Sequence, residues 1–321
     1  MANRVKEPLN QETGQFRECM TGDHNGNAGS LTVAVVIASL GRPDLLSQMR
    51  ALIAAQTRQP EILLFSVVGE ADVPADFFDD ENCRIIMGSK GLCAQRNNAL
   101  DWLGDRYDII LFYDDDFIPA RTSVEGVERL FRTHPEVAGA TGNVLADGIN
   151  NAGISFEQAQ AILDKHSSRD STPNCIVGPL SGLYGCNMAY RVSAIGTTRF
   201  DERLKLYAWQ EDIDFAGSLH ARGRIVKTFA FAGVHQGVKI GRTPGRRLGY
   251  SQIINPTYLA RKGTMPLSFA LKLIIRNTIA NHVKLLRPEP WVDRWGRVRG
   301  NWIGFADLLR GRVTPERIEQ L

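Results

Sequence analysis

The sequence predicts an α/β fold, with a Rossmann-like mixed, mostly parallel central sheet flanked by helices and a helical C-terminal extension. Three observations predict it. The run Ile109-Ile110-Leu111-Phe112-Tyr113 is too short for a helix of its own and apolar throughout, as strands covered on both faces are. Between Leu31 and Asp116 the chain reads strand, helix, strand, strand, helix, strand, the alternation of a parallel sheet. Finally, the apolar run ends in Asp114-Asp115-Asp116, at the carboxyl end of a strand, where open α/β sheets hold ligands.

At 321 residues there is room for one large α/β domain or two smaller ones. A net charge of only +3 projects no strong field, so no nucleic-acid partner is expected. The five cysteines are scattered and lack paired metal-site spacing, which reads as a reduced, cytoplasmic protein using thiols as small core residues. The N-terminus has no apolar signal region, and no stretch approaches the roughly 18–20 apolar residues of a membrane span.

Taken in order, residues 1–30 are polar and read as a disordered tail. Leu31 to Ala38 is the first strand, broken by Ser39-Leu40-Gly41-Arg42-Pro43, with Pro43 suited to the first turn of a helix reaching about Ala55. Such a strand–turn–helix start offers Ala38, Ser39 and Arg42 to a nucleotide, since the helix N-terminus presents free N–H groups. Ile62 to Val68 and Arg84 to Met87 are further strands. The helix beginning at Gly91 carries Lys90 and Arg96 near its start, either of which could reach a diphosphate.

The triple aspartate follows. Three like charges in sequence repel unless a cation or hydrogen bonds compensate them, and all-oxygen ligands suit Mg²⁺ or Mn²⁺; a solvated acidic turn is the plain alternative. A helix near Thr122–Arg132 and a strand from Val137 to Val144 come next. Residues 146–174 read as a long irregular connection, and Pro179 to Arg191 as a flexible segment whose Tyr184 could stack on a sugar or base.

Trp209-Gln210-Glu211-Asp212-Ile213-Asp214-Phe215 opens a helix to about Arg222 with more carboxylates than capping needs, so one of them is in position to act as a general base. Gly223 to Ala230 is a strand, and His235 follows it. Lys239 to Arg247 is a Gly/Pro-broken basic loop containing Arg242, either a solvated turn or an anion clamp. Beyond it, Leu267 to Leu286 has helical apolar spacing. Residues 261–312 hold eleven Lys/Arg against three Asp/Glu, a balance of +8, together with three tryptophans. That stretch fits a basic amphipathic membrane-surface element or, equally, packing on the main domain or a partner subunit.

Taken together, these segments resemble the family 2 glycosyltransferases of the GT-A fold over roughly residues 31–240. The first strand and turn, Gln56-Thr57 to Pro60-Glu61-Ile62, Ala94-Gln95-Arg96-Asn97, Asp114-Asp115-Asp116 as an Asp-X-Asp motif, Asn187 to Arg191, Phe200-Asp201-Glu202 and Glu211-Asp212 occur in the family's order. The resemblance implies an inverting, metal-dependent glycosyltransferase using a nucleotide-diphosphate sugar donor and a divalent cation. It places Asp116 and His235 on the metal, Asp114 beside it on the ion or the donor's ribose, Asp212 as base with Glu211 beside it, and Arg96 near the nucleotide. Ala38, Ser39, Arg42, Asp115 and Arg242 complete the expected donor-binding set.

The implied domains are a tail at 1–30, a GT-A domain at 31–245 (nucleotide-sugar half 31–120, acceptor half 121–245) and an extension at 246–321. The acceptor is expected to be a glycan or lipid-linked intermediate of polysaccharide biosynthesis, met at the cytoplasmic face of the inner membrane through 261–312. The signature of processive synthases, Gln-X-X-Arg-Trp, is absent, which favours a single addition. A sugar nucleotidyltransferase would need a glycine-rich basic loop after the first strand, and Ser39 to Pro43 is too short. A non-catalytic nucleotide- or glycan-binding protein would not need both Asp116 and Asp212.

Overall fold

The computed structural model describes residues 18–19, 29–78, 83–167, 175–239 and 243–321. Its strands are β1 (Glu18–Cys19), β2 (Val33–Ala38), β3 (Ile62–Val67), β4 (Cys83–Met87), β5 (Ile109–Asp114), β6 (Phe117–Pro119), β7 (Val137–Asp147), β8 (Cys175–Pro179), β9 (Asn187–Arg191) and β10 (Arg224–His235). They form one sheet in the order β1-β8-β10-β7-β9-β5-β2-β3-β4, with β6 alongside β10. β2 pairs in parallel with β3 and β5, β3 with β4, and β7 with β10. β9 runs antiparallel between β5 and β7, so the strands on either side of it point the same way. The carboxyl ends of six strands therefore meet along one edge of the sheet.

Strand alternation divides the core in two. Val33, Val35, Ile37, Ile109, Leu111 and Tyr113 face α1 (Pro43–Ala54) and α3 (Ser123–Thr133), through Leu46, Ile53, Val127 and Leu130. Ala34, Val36, Ile110 and Phe112 face the other way, toward Leu100 and Leu103 of α2 (Leu92–Leu103) and Phe215 of α6 (Glu211–Ser218). Burial on both faces is why these strands lack polar alternation.

The C-terminal extension is helical as expected: α7 (Gly245–Lys262), α8 (Leu267–Lys284) and α9 (Arg294–Leu309). Leu259 of α7 and Ala270 and Leu273 of α8 belong to the second core, so the extension shares the sheet's hydrophobic interior. Glycines set the α7–α9 crossing: a Cβ at Gly249 would lie 2.1 Å from the Arg297 carbonyl oxygen, and one at Gly300 2.1 Å from that of Arg246. Small residues four apart let two helix backbones approach this closely. A buried polar cluster then fixes the array. Asn281 donates to Gln252 Oε1 (2.8 Å) and Asn301 Oδ1 (2.9 Å), and accepts from Arg294 Nη1 (2.9 Å).

Four expectations change. Residues 146–174 are not irregular throughout: α4 (Phe156–Ser167) lies within them, buried only at Ala159 and Leu163 with Phe156 and Ile162 half-buried beside them, too thin a stripe to stand out. Pro179 to Arg191 contributes β9, whose buried face is made partly of the small and polar residues Asn187 and Ala189. Within the expected N-terminal tail, Glu18–Cys19 pairs antiparallel with β8; the rest of that tail lies outside the described residues. Cys175 is disulfide-bonded, against the expectation of reduced thiols, whereas Cys83, Cys93 and Cys186 are free and buried.

Candidate active site

Four strand ends bring one cluster of side chains together. Register sets Ala38 beside Asp114 on neighbouring parallel strands, and Asp147 beside His235 on another parallel pair. After Asp114 the chain turns, and β6 pairs antiparallel with the end of β10, Phe117 opposite His235, which returns Asp116 to the same edge. Ligand atoms of Asp114, Asp116 and His235 all lie within 4.8 Å of one another.

His235 sits between two carboxylates. Its Nδ1 is 2.9 Å from Asp147 Oδ1 and its Nε2 3.3 Å from Asp116 Oδ1. Tyr184 donates its hydroxyl to Asp147 Oδ2 at 2.8 Å and meets the imidazole edge-on. Burial works to lower the histidine's pKa, but the flanking carboxylates outweigh it and push it up to about 10. For Asp116 and Asp147, burial opposes ionisation, yet His235 and backbone N–H groups (Val238 and Ile149 respectively) hold both carboxyls below the usual range.

This donor set fits a divalent cation. An imidazole whose Nδ1 hydrogen is held by Asp147 leaves Nε2 facing Asp114 and Asp116, the arrangement by which an outer carboxylate fixes a ligating histidine. Asp147 was not singled out in the sequence. Extending the Val137–Val144 strand by three residues would have placed it at the carboxyl edge, where the signal lay.

The second acid cluster is joined to the first through Arg96. The residue is 1% exposed; Nη1 donates to Glu211 Oε1 at 2.5 Å, and Nη2 to Asp114 Oδ1 (3.1 Å) and the Gly185 carbonyl (3.2 Å). Expected near the diphosphate, Arg96 instead has both amino groups committed to the two acid motifs. Its helix neighbours fan out to other segments. Gln95 donates to the carbonyls of Ser39 and Ser66, fastening the tips of β2 and β3. Asn97 binds Phe200 through both its backbone groups and donates to Glu202. Successive helical positions diverge by about 100°, so three adjacent polar residues reach three different segments.

Glu211 and Asp212 are delivered by a constrained strap. Leu206, Ala208 and Gln210 have φ of 61°, 51° and 79°, left-handed values that cost non-glycine residues about 1–3 kcal/mol each. The surroundings hold it. Leu92 N–H donates to the Leu206 carbonyl (3.0 Å) and Asn255 to that of Trp209 (2.8 Å).

Asp212 is half-buried. Its Oδ2 accepts the Gly185 N–H and its Oδ1 the Ile213 N–H, each at 2.8 Å. A Cβ at Gly185 would come within 3.2 Å of both Asp212 Oδ2 and Glu211 Oε1, so any larger residue would press the two carboxylates out of place by a few tenths of an ångström. Burial nevertheless raises the Asp212 carboxyl above its ordinary pKa. Glu211 is raised by burial and by Asp212, with Arg96 pulling it back. Asp214 has another employment: Lys262 Nζ reaches it at 2.7 Å and Thr264 Oγ1 at 2.5 Å. Lys262 also reaches Asp201 at 2.7 Å, so this pairing docks α7 against the site.

Among the expected donor-binding residues, Asp115 is buried, accepting from Ser39 Oγ at 2.6 Å and from Arg42 Nη1 at 2.9 Å. Burial pushes its carboxyl up to about 6 although Arg42 pulls the other way. It thus ties the first turn to the triple-aspartate turn. Asp72 accepts from the N–H groups of Gly41, Val68 and Gly69, bracing the adjacent loop. Tyr184, expected to stack on a sugar or base, is turned to Asp147 and His235. Arg242 lies outside the described residues.

No protein-family model matches the sequence, and no curated protein matches it either. Solved structures do. TarS 1-349 from S. aureus superposes with a TM-score of 0.51 at 13% identity, over 91% of this chain and 83% of that one. The same protein in complex with UDP-GlcNAc gives 0.50 at 11% identity, over 91% and 84%. At such identities the likeness establishes the fold, and it is the GT-A fold that the sequence led us to expect.

Proposed function

We propose that this chain is an inverting glycosyltransferase that moves a sugar from a nucleotide-diphosphate sugar to an acceptor hydroxyl. One observation carries the reading: the Asp114, Asp116 and His235 cluster is tied through buried Arg96 to the Glu211-Asp212 pair, on a GT-A sheet. A solved structure with the same fold is in complex with UDP-GlcNAc, which supports a sugar nucleotide as the donor class.

Asp114, Asp116 and His235 would hold the cation, and the nitrogen donor favours Mn²⁺ over Mg²⁺. Bound there, a divalent cation would offset the charge gathering on the departing diphosphate. Asp147 keeps Nε2 of His235 turned toward the two aspartates. Asp212 takes the proton from the acceptor hydroxyl, with two backbone N–H groups holding its carboxylate in place. Arg96 keeps the two acid clusters in fixed relation and neutralises part of their mutual repulsion. Ala38, Ser39 and Arg42, at the end of β2, line the nucleotide side. Arg242 is assigned to the diphosphate by its place in the basic loop alone. The acceptor we assign is a glycan or lipid-linked intermediate of polysaccharide biosynthesis, met at a membrane surface.

The test is transfer with Mn²⁺ and an α-linked donor, following product anomeric configuration by NMR. A β-linked product that disappears in Asp212→Asn is expected. An α-linked product would sink the inverting assignment, and undiminished turnover by the variant would remove Asp212 as the base.

A further inference from the structure

The two last helices leave an apolar face that the described residues do not cover. Leu267, Leu271, Ile275, Ile279 and Val283 recur every fourth residue along α8 and are 49–66% exposed, while Ala270, Leu273, Ile274 and Asn281 are buried on the opposite side. Trp295, Trp302 and Leu309 form an exposed face on α9. The two faces are continuous, because Trp302 Nε1 donates to His282 Nε2 at 3.2 Å and the rings meet edge-on. His282 Nδ1 is satisfied by the Thr278 carbonyl at 2.8 Å, which leaves Nε2 as the acceptor this contact requires.

The charge along α8 has one sign. No acidic residue occurs from Leu267 to Pro288, whereas Lys272, Arg276, Lys284 and Arg287 are exposed there, and Arg299 lies over the Trp295 ring at 5.4 Å. Lys284 is paired with Glu289; Lys272, Arg276 and Arg287 have no carboxylate partner among the described residues. Aliphatic side chains flanked by cations and indoles match the acyl boundary and headgroups of a bilayer with negative lipids. A second copy of this chain is a poor occupant, because a two-fold contact would set Lys272 and Arg276 against the same cations. No helix of the described residues is long and apolar enough to cross a membrane, so the contact lies in the plane of the surface.

We propose that the α8–α9 face docks on an anionic lipid bilayer, with the α8 stripe and the α9 indoles entering the headgroup region. The proposal goes beyond the transfer reaction and stands without it. The experiment is flotation of the full chain with phosphatidylcholine vesicles, with and without phosphatidylglycerol, in the absence of donor and acceptor.

Binding only to the anionic vesicles is expected, weakening as salt rises from about 0.1 M to about 0.5 M. Replacing Ile275→Ser with Ile279→Ser, or Lys272→Gln with Arg276→Gln, should each weaken it by about tenfold or more. These positions are exposed, so unchanged thermal melting shows that the variants fold. Brominated lipids should quench the tryptophan emission of the wild type. Equal binding to neutral vesicles, no binding, or variants that bind as well as wild type would each overturn the proposal. So would light scattering showing a dimer that the serine pair dissolves without any vesicle binding, since the face would then join two copies. Because no turnover is read, failure here leaves glycosyl transfer standing, and the reverse also holds.

Discussion

His235 is one histidine in a stretch of glycine and valine, and only the family resemblance sets it apart in sequence from a structural residue. In space it is wedged between Asp116 and Asp147, and that setting gives it a direction. Asp147→Ala is expected to weaken Mn²⁺ binding by about 10- to 100-fold in calorimetry while leaving the fold intact. An unchanged affinity would mean that Asp147 does not orient the ligand. Arg96 is the residue whose loss should cost most in stability. Arg96→Ala leaves the Glu211 carboxylate buried without its cation and strips the partly exposed Asp114 of the same partner, a loss of about 3–5 kcal/mol by chemical denaturation. For Asp212 the sign of the pH effect follows from burial. A raised carboxyl is protonated, and inactive as a base, at acid pH, so turnover should climb with pH through a range above the ordinary value of about 3.9. A profile already flat from pH 4 upward would contradict that role.

At the scale of elements, legibility followed local pattern. β2, β3 and β5 were readable because burial on both faces writes an uninterrupted apolar run, and the triple aspartate because its members are adjacent. β9 and α4 were not, since their anchors are few or small and their stability comes from neighbours distant in sequence. Asp147 was hidden for the same reason: only the β7–β10 register brings it to His235, 88 residues away. The α7–α9 crossing was equally invisible, because glycine reads as a helix breaker until a partner backbone is known to lie against it. Gly249→Ala should overpack that crossing and cost about 1–3 kcal/mol, seen as a lower melting temperature. No change in melting would show that the helices can part at little cost.

The whole molecule couples these scales. The sheet's parallel strands aim their carboxyl ends at one edge, α2 fastens that edge with three consecutive polar side chains, and the C-terminal helices close the second core from below. The fold class, the two acid clusters and the helical extension were all legible in the sequence. What was not legible is how the clusters are held together, which depends on a buried arginine that the sequence presents as a nucleotide-binding cation. The central claim is that the first cluster binds a sugar nucleotide through a divalent cation. It is tested most directly by calorimetry of UDP-, GDP- and dTDP-sugars, each with Mn²⁺ and with EDTA, on the wild type and Asp116→Ala. One donor should bind the wild type only with Mn²⁺ and should not bind the variant. Donor binding that survives both EDTA and the loss of Asp116 would contradict the claim.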